Sequence, residues 1–201
     1  MFAVYKKEIK MFFASMEAYI AISVFFITNS LILWYIPGNA NIFDNNQASL
    51  FPFFSIAPFV LLILMPAITM KMISSERSQK TNLILFTKPI KKWEIIFAKF
   101  LASLTIGITS IIPSLIFVYS IYQLSNPVGN IDQGELIGSY IGLIMLISLY
   151  SSIGLFCSSI SKNTMISFIL TIVIISLLYI NIISLFAPKN LLFDYLSIKS
   201  H

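Results

Sequence analysis

Long stretches of this chain contain no Asp, Glu, Lys or Arg, and they alternate with short polar stretches that hold its charge. Five uncharged runs, Ala18–Ile36, Leu50–Met70, Phe100–Tyr122, Leu136–Cys157 and Thr164–Ala187, are each long enough for a helix to cross about 30 Å of hydrocarbon at about 1.5 Å per residue. The pattern predicts an all-α integral membrane protein, a polytopic bundle of five transmembrane helices forming a single domain over residues 1–201. Between the second and third runs, Lys71 to Lys99 makes a charged segment unlike anything else in the chain.

Composition agrees with that pattern. Hydrophobic residues make up 58% of the 201 positions and charged residues 10%, where a soluble domain carries roughly a quarter charged; the mean hydropathy is +0.90. Lys6, Lys7 and Lys10 precede a first run of full spanning length with no small-residue cleavage site after it, which predicts a retained anchor rather than a cleaved signal. Basic residues in short loops stay on the cytoplasmic side. With the N-terminus inside, that side holds these three lysines, seven basic residues from Lys71 to Lys99, and Lys162, eleven of thirteen; only Lys189 and Lys199 fall outside.

The outer loops, with Asp44 in one and Asp132 and Glu135 in the other, are short, and their Gly, Asn and Pro residues read as turns. Trp34, Tyr35, Tyr119 and Tyr122 at the outer ends of spans fit an interfacial belt. The single Cys157 and single His201 give no metal cluster and no intrachain disulfide. No Lys or His lies within an uncharged run, so an intramembrane serine nucleophile lacks a base. A proton relay lacks the ionisable groups that ion-driven transporters keep near mid-membrane. Any energy for work must therefore enter from outside the spans.

The polar residues inside the spans, Asn29, Ser30, Thr69, Thr105, Thr109 and Ser110, are expected to bond their own helices' carbonyls or a neighbouring helix, and no substrate site is assigned to them. Gly134, Gly138 and Gly142 recur every four residues; this favours helix packing within the chain over a subunit interface. Pro52, Pro58, Pro66 and Pro113 are expected to kink their helices.

Within Lys71–Phe100, the order Glu76 then Lys80 suits an i, i+4 helical pair. Pro89 sets a break near Thr87–Pro89, giving two short cytoplasmic helices. On the first, Leu83, Phe86 and Ile90 form an apolar face suited to the membrane surface or a partner's groove. On the second, Trp93, Phe97, Phe100, Leu101 and Leu104 form a face that runs into the third span, with Lys91, Lys92, Glu94 and Lys99 projecting elsewhere. A segment that only fixes topology needs no ordered helical pair, no mixed-sign charge and no buried aromatic. The pattern favours a docking element.

The same segment resembles the first cytoplasmic stretch of ABC-2-type exporter permeases, with Glu76, Arg77, Thr81, Leu83, Leu85, Pro89, Ile90, Glu94, Ile95 and Lys99 in the family's order. The flanking strings NIFDNNQASLFPFF and NPVGNIDQGELIGSY, with GLFCSS, are most similar to the gliding-motility-associated permeases of that group. The resemblance implies a membrane permease subunit without an ATPase site of its own, in the bacterial cytoplasmic (inner) membrane. A separate ATP-binding-cassette subunit would bind ATP and Mg, and a second permease subunit, the same or related, would complete the transporter; no nucleic acid is involved. Consistent with this, the chain carries no Gly-x4-Gly-Lys-Ser/Thr phosphate loop. ATPase coupling would fall to Glu76, Arg77, Lys80, Thr81, Leu83 and Phe86, with Lys88, Pro89, Lys91 and Lys92 as hinge and headgroup contact, Trp93 as anchor, and Glu94 and Lys99 leading into the next span. The family's usual six spans against five here keep a second reading open, a non-transporting membrane scaffold; an ion channel, a third, would want rings of charge that the loops do not offer.

Overall fold

The computed structural model describes residues 1–38, 41–45, 49–78 and 91–186. Its helices are α1 (Phe2–Phe13), α2 (Met16–Trp34), α3 (Ile42–Asn45), α4 (Phe51–Ser78), α5 (Lys92–Ile111), a 3₁₀ turn over Ile112–Ser114, α6 (Leu115–Leu124), α7 (Gln133–Ile160) and α8 (Thr164–Phe186). No strand occurs among the described residues. Five helical stretches are long and apolar enough to span a membrane, α5 and α6 together making the third. All five expected spans are present, each within a few residues of its uncharged run except where charged flanks continue the helix.

Those continuations reach into both flanks of the charged segment: Lys71–Ser78 is the end of α4, and Lys92–Lys99 is the beginning of α5, running on into the third span as expected. At 28 residues α4 is about 42 Å long, so roughly its last two turns exceed a 30 Å hydrocarbon core. The expected break at Thr87–Pro89 and the apolar face of Leu83, Phe86 and Ile90 lie outside the described residues.

Helix α4 is the hub, packing most extensively on α7 and also on α2, α5 and α8, while α1 folds back onto α5. Phe25, Phe53, Leu61, Met65, Ile106, Ile121, Ile147 and Ile175 fill the centre. At the end where α2 leads through α3 to α4 and α6 leads to α7, here called the loop end, Phe26 and Phe117 stack with centroids 5.1 Å apart, Phe53 meets Phe117 at 5.7 Å, and Phe54 meets Tyr140 edge to face at 5.2 Å. Tyr140 also hydrogen-bonds Ser114 at 2.9 Å, just past the Pro113 turn that separates α5 from α6. Asp132 caps α7 by accepting from the Gly134 and Glu135 N–H groups. Pro58 and Pro66 lie inside α4, whereas Pro52 sits in its first turn, where proline is tolerated.

Close helix approach occurs at glycines other than those expected. Gly138 and Gly142 face open space, and a Cβ on Gly134 would meet only the Asp132 carboxylate. The true contact points are Gly154, where a Cβ would lie 2.8 Å from Thr69 Cβ, and Gly107, where it would lie 2.5 Å from Ile147 Cγ2. The apolar face expected on α5 is only partly turned inward, with Phe100 half-buried against the core and Leu101 and Leu104 half-buried. Trp93 and Phe97 are exposed, while Ile95, Ala98, Lys99, Ala102, Ser103, Ile106 and Gly107 are buried. In lipid, small residues earn the interface because they let backbones approach, and large apolar side chains are equally at ease against acyl chains.

The intramembrane polar residues mostly satisfy themselves. Asn29 donates to Phe25 O, Thr69 to Met65 O, Thr105 to Leu101 O, and Ser110 to Ile106 O, each one turn back, with Thr109 donating to Ile106 O three residues back.

Candidate functional site

The basic residues among those described gather at the end of the bundle where α1 lies, α4 finishes, α5 begins and α7 turns into α8. There Lys99, only 2% exposed, donates to Glu8 Oε1 at 2.8 Å and to the Met72 carbonyl at 2.5 Å, and pairs with Glu76 Oε2 at 2.9 Å. An ammonium has three hydrogens to give. Three acceptors from α1 and α4 take them. Lys7 closes the cluster, donating to Glu76 Oε1 at 2.8 Å with Glu8 Oε1 3.9 Å away. Two lysines and two glutamates from three helices form a neutral group, with Glu8 6% and Glu76 13% exposed. Burial lowers the Lys7 pKa, yet the hydrogen bond to Glu76 and the Glu76 and Glu8 charges outweigh it and leave the ammonium above its ordinary 10.5.

Glu8 reaches the cluster because α1 is amphipathic. Val4 and Glu8, one turn apart, are its buried positions, and Val4 packs with Tyr5 against Ile95 and Ala98 of α5. The Met1 ammonium, 3.6 Å from Glu94, adds an exposed tie between the same two helices.

The rest of the projecting end of α4 is fastened to its other neighbours. Lys71 donates to both carboxylate oxygens of Glu17 on α2 at 2.5 Å. Arg77 donates to the Ser159 and Ile160 carbonyls at 2.9 and 3.4 Å, placing a cation on the negative end of α7. The Ser158 hydroxyl accepts from the Ile73 and Ser74 N–H groups at 3.2 and 3.0 Å and donates to Met70 O at 3.1 Å, so it is inserted against the backbone of α4. Four elements, α1, α2, α5 and α7, thus hold the last two turns of α4.

Of the residues read as coupling positions, Glu76 and Lys99 are brought together in the buried cluster. Lys99 therefore points inward, not away from the packed face as expected. Arg77 caps α7, Glu94 faces the N-terminus, and Lys91, Lys92 and Trp93 are exposed at the start of α5, Trp93 to 81%. Lys80, Thr81, Leu83, Phe86, Lys88 and Pro89 lie outside the described residues. Glu8, Lys7 and Ser158 were not anticipated. The available signal was Glu8 itself, the one acid among three lysines in α1 and one turn from Val4 on the same face.

The family model for ABC-2 family transporter protein matches residues 2–198 of the chain. No curated protein and no solved structure matches it.

Proposed function

Because the chain belongs to the ABC-2 transporter family, whose members are transmembrane permease subunits of ABC exporters, we propose that it receives its driving motion through the segment between α4 and α5. A separate ATP-binding-cassette subunit on the basic, cytoplasmic face grips that segment, and closure of the ATPase moves the bundle. Leu83 and Phe86 supply the grip, with Lys80, Thr81 and Lys88 around it. ATP and Mg are handled by the ATPase, and a second permease subunit, the same or related, completes the pore in a bacterial inner membrane. The strings around the outer loops favour the gliding-motility branch of the family.

One observation supports this reading most. Both roots of the segment, the end of α4 and the start of α5, are locked together by the Lys99–Glu76 pair and tied to α1, α2 and α7. A force applied between Ser78 and Lys91 then acts on several helices as one body, which rigid-body switching requires. Glu76 thereby acts as a positioning residue rather than a docking contact.

The test is co-purification with the ATPase subunit plus ATP hydrolysis in proteoliposomes. Leu83→Asp should abolish ATPase capture. Glu76→Gln should leave capture intact and reduce the stimulation of hydrolysis by the permease. If Leu83→Asp and Phe86→Asp retain the ATPase at wild-type yield, the segment is not the point of contact. The scaffold reading would gain instead from an assembled complex whose hydrolysis is indifferent to this chain.

A further inference from the structure

A groove of about 510 Å³ runs along the outside of the bundle between α2 and α4. Ala21, Val24 and Thr28 of α2 and Phe59, Ile63 and Ala67 of α4 line it, and its walls are almost wholly apolar. Along α4 it extends from Ile56 to Ala67, and along α2 from Ile20 to Ile32, which is about 17 Å at 1.5 Å per residue. One leaflet of a 30 Å hydrocarbon core is about 15 Å deep. The groove therefore has the depth of a single leaflet, and its volume falls in the range of small-molecule sites.

Its mouth is charged. Glu17 forms one end, and Lys71 follows Ala67 by one turn on α4. The two are bonded to each other and still substantially exposed, Lys71 48% and Glu17 59%. The Lys71 ammonium keeps one hydrogen beyond the two given to Glu17, and the carboxylate keeps lone pairs on both oxygens. A neutral rim with a donor cation beside an acceptor anion complements a headgroup that carries an anionic phosphate and a hydrogen-bonding ammonium. A purely anionic headgroup meets Glu17 as a like charge. A quaternary ammonium has no hydrogen to give it.

We infer that this groove is a binding site for an aminophospholipid from the leaflet at the basic end, one acyl chain lying between α2 and α4, the phosphate on Lys71 and the primary ammonium on Glu17. The site shares the Lys71–Glu17 pair with the end of α4 but does not rest on the coupling proposal, and its occupant is a phospholipid rather than a second copy of the chain.

The experiment uses the full chain reconstituted in vesicles of equal parts phosphatidylethanolamine, phosphatidylcholine and phosphatidylglycerol with matched acyl chains, followed by native mass spectrometry after gentle extraction. The wild type should retain one phospholipid per chain, enriched in phosphatidylethanolamine by about fivefold, the upper end expected of an exposed ion pair. Val24→Trp with Ile63→Trp, two exposed positions, should empty the groove, whereas Ile141→Trp on the outside of α7 should not. Glu17→Gln, at an exposed site with little folding risk, should keep the lipid and erase the preference. Retention of no phospholipid by the wild type would overturn the inference, as would absence of a headgroup preference, equal loss with Ile141→Trp, or a preference unmoved by Glu17→Gln. Disulfide cross-linking between copies carrying Val24→Cys would also overturn it, by assigning the groove to a second chain.

Discussion

At the basic end of the bundle three helices meet through two lysines and two glutamates, while at the loop end four meet through Phe26, Phe53, Phe54, Phe117 and Tyr140. Both lie largely inside the bundle, with Lys7 at the edge of the first, yet they respond differently to damage. The ring cluster is made of many small dispersion contacts, so loss of one ring removes its share and leaves the others packed. The ion cluster is conditional: each charge is tolerable only while its partner is present. The loop end therefore yields by degrees, and the basic end holds as a unit.

The sharpest way to break this contrast is Lys99→Met, which strips the buried Glu8 of its close donor and leaves Lys7 alone to serve both carboxylates, and should cost about 3–5 kcal/mol in unfolding free energy measured in micelles. Replacing Glu8 by Gln in the same chain should recover part of that loss, because one stranded charge is gone. A Lys99→Met protein as stable as the wild type would remove the distinction between the two ends. Phe53→Ala at the loop end should cost less, about 2–3 kcal/mol, since lipid can solvate what water cannot and mainly packing is lost. Between the two ends, Gly154→Val should cost about 1–3 kcal/mol through collision with Thr69, while Gly138→Ala should stay within about 0.5 kcal/mol; the same unfolding assay separates them.

The smallest effect concerns Lys7. Its pKa is raised in the folded state, so its stabilising contribution is complete below about pH 10.5 and fades as the pH climbs through the higher folded value. Titrating the unfolding transition from neutral to alkaline pH, with Lys7→Met as the comparison, should show a difference that narrows only at that alkaline edge.

The sequence announced the spans because hydrocarbon excludes charge, and Ala18–Ile36 or Leu136–Cys157 could be drawn from that rule alone. It did not announce which side of a span is inside. Water separates the two faces of a soluble helix, but lipid is as apolar as the core, so the Trp93 and Phe97 face of α5 looked like a packing surface and proved to be the outer one. Gly134, Gly138 and Gly142 carried the spacing of a helix contact, whereas Gly107 and Gly154, solitary in sequence, make the contacts. In the site, Glu76 and Lys99 were visible as charges and Glu8 was overlooked. Their meeting depends on α1 folding back onto α5, a tertiary event that no local pattern encodes.

That meeting also sets an order of assembly. Glu8 is joined to the chain ninety-one residues before Lys99, so throughout synthesis of the first two spans its carboxylate is without its closest partner. The latch can shut only after the third span has begun to thread, and by then two membrane crossings are already committed. A newborn chain in which one of the first two spans failed to cross would present Glu8 and Lys99 to opposite sides of the bilayer, where they can never find each other, and that end of the bundle would stay open.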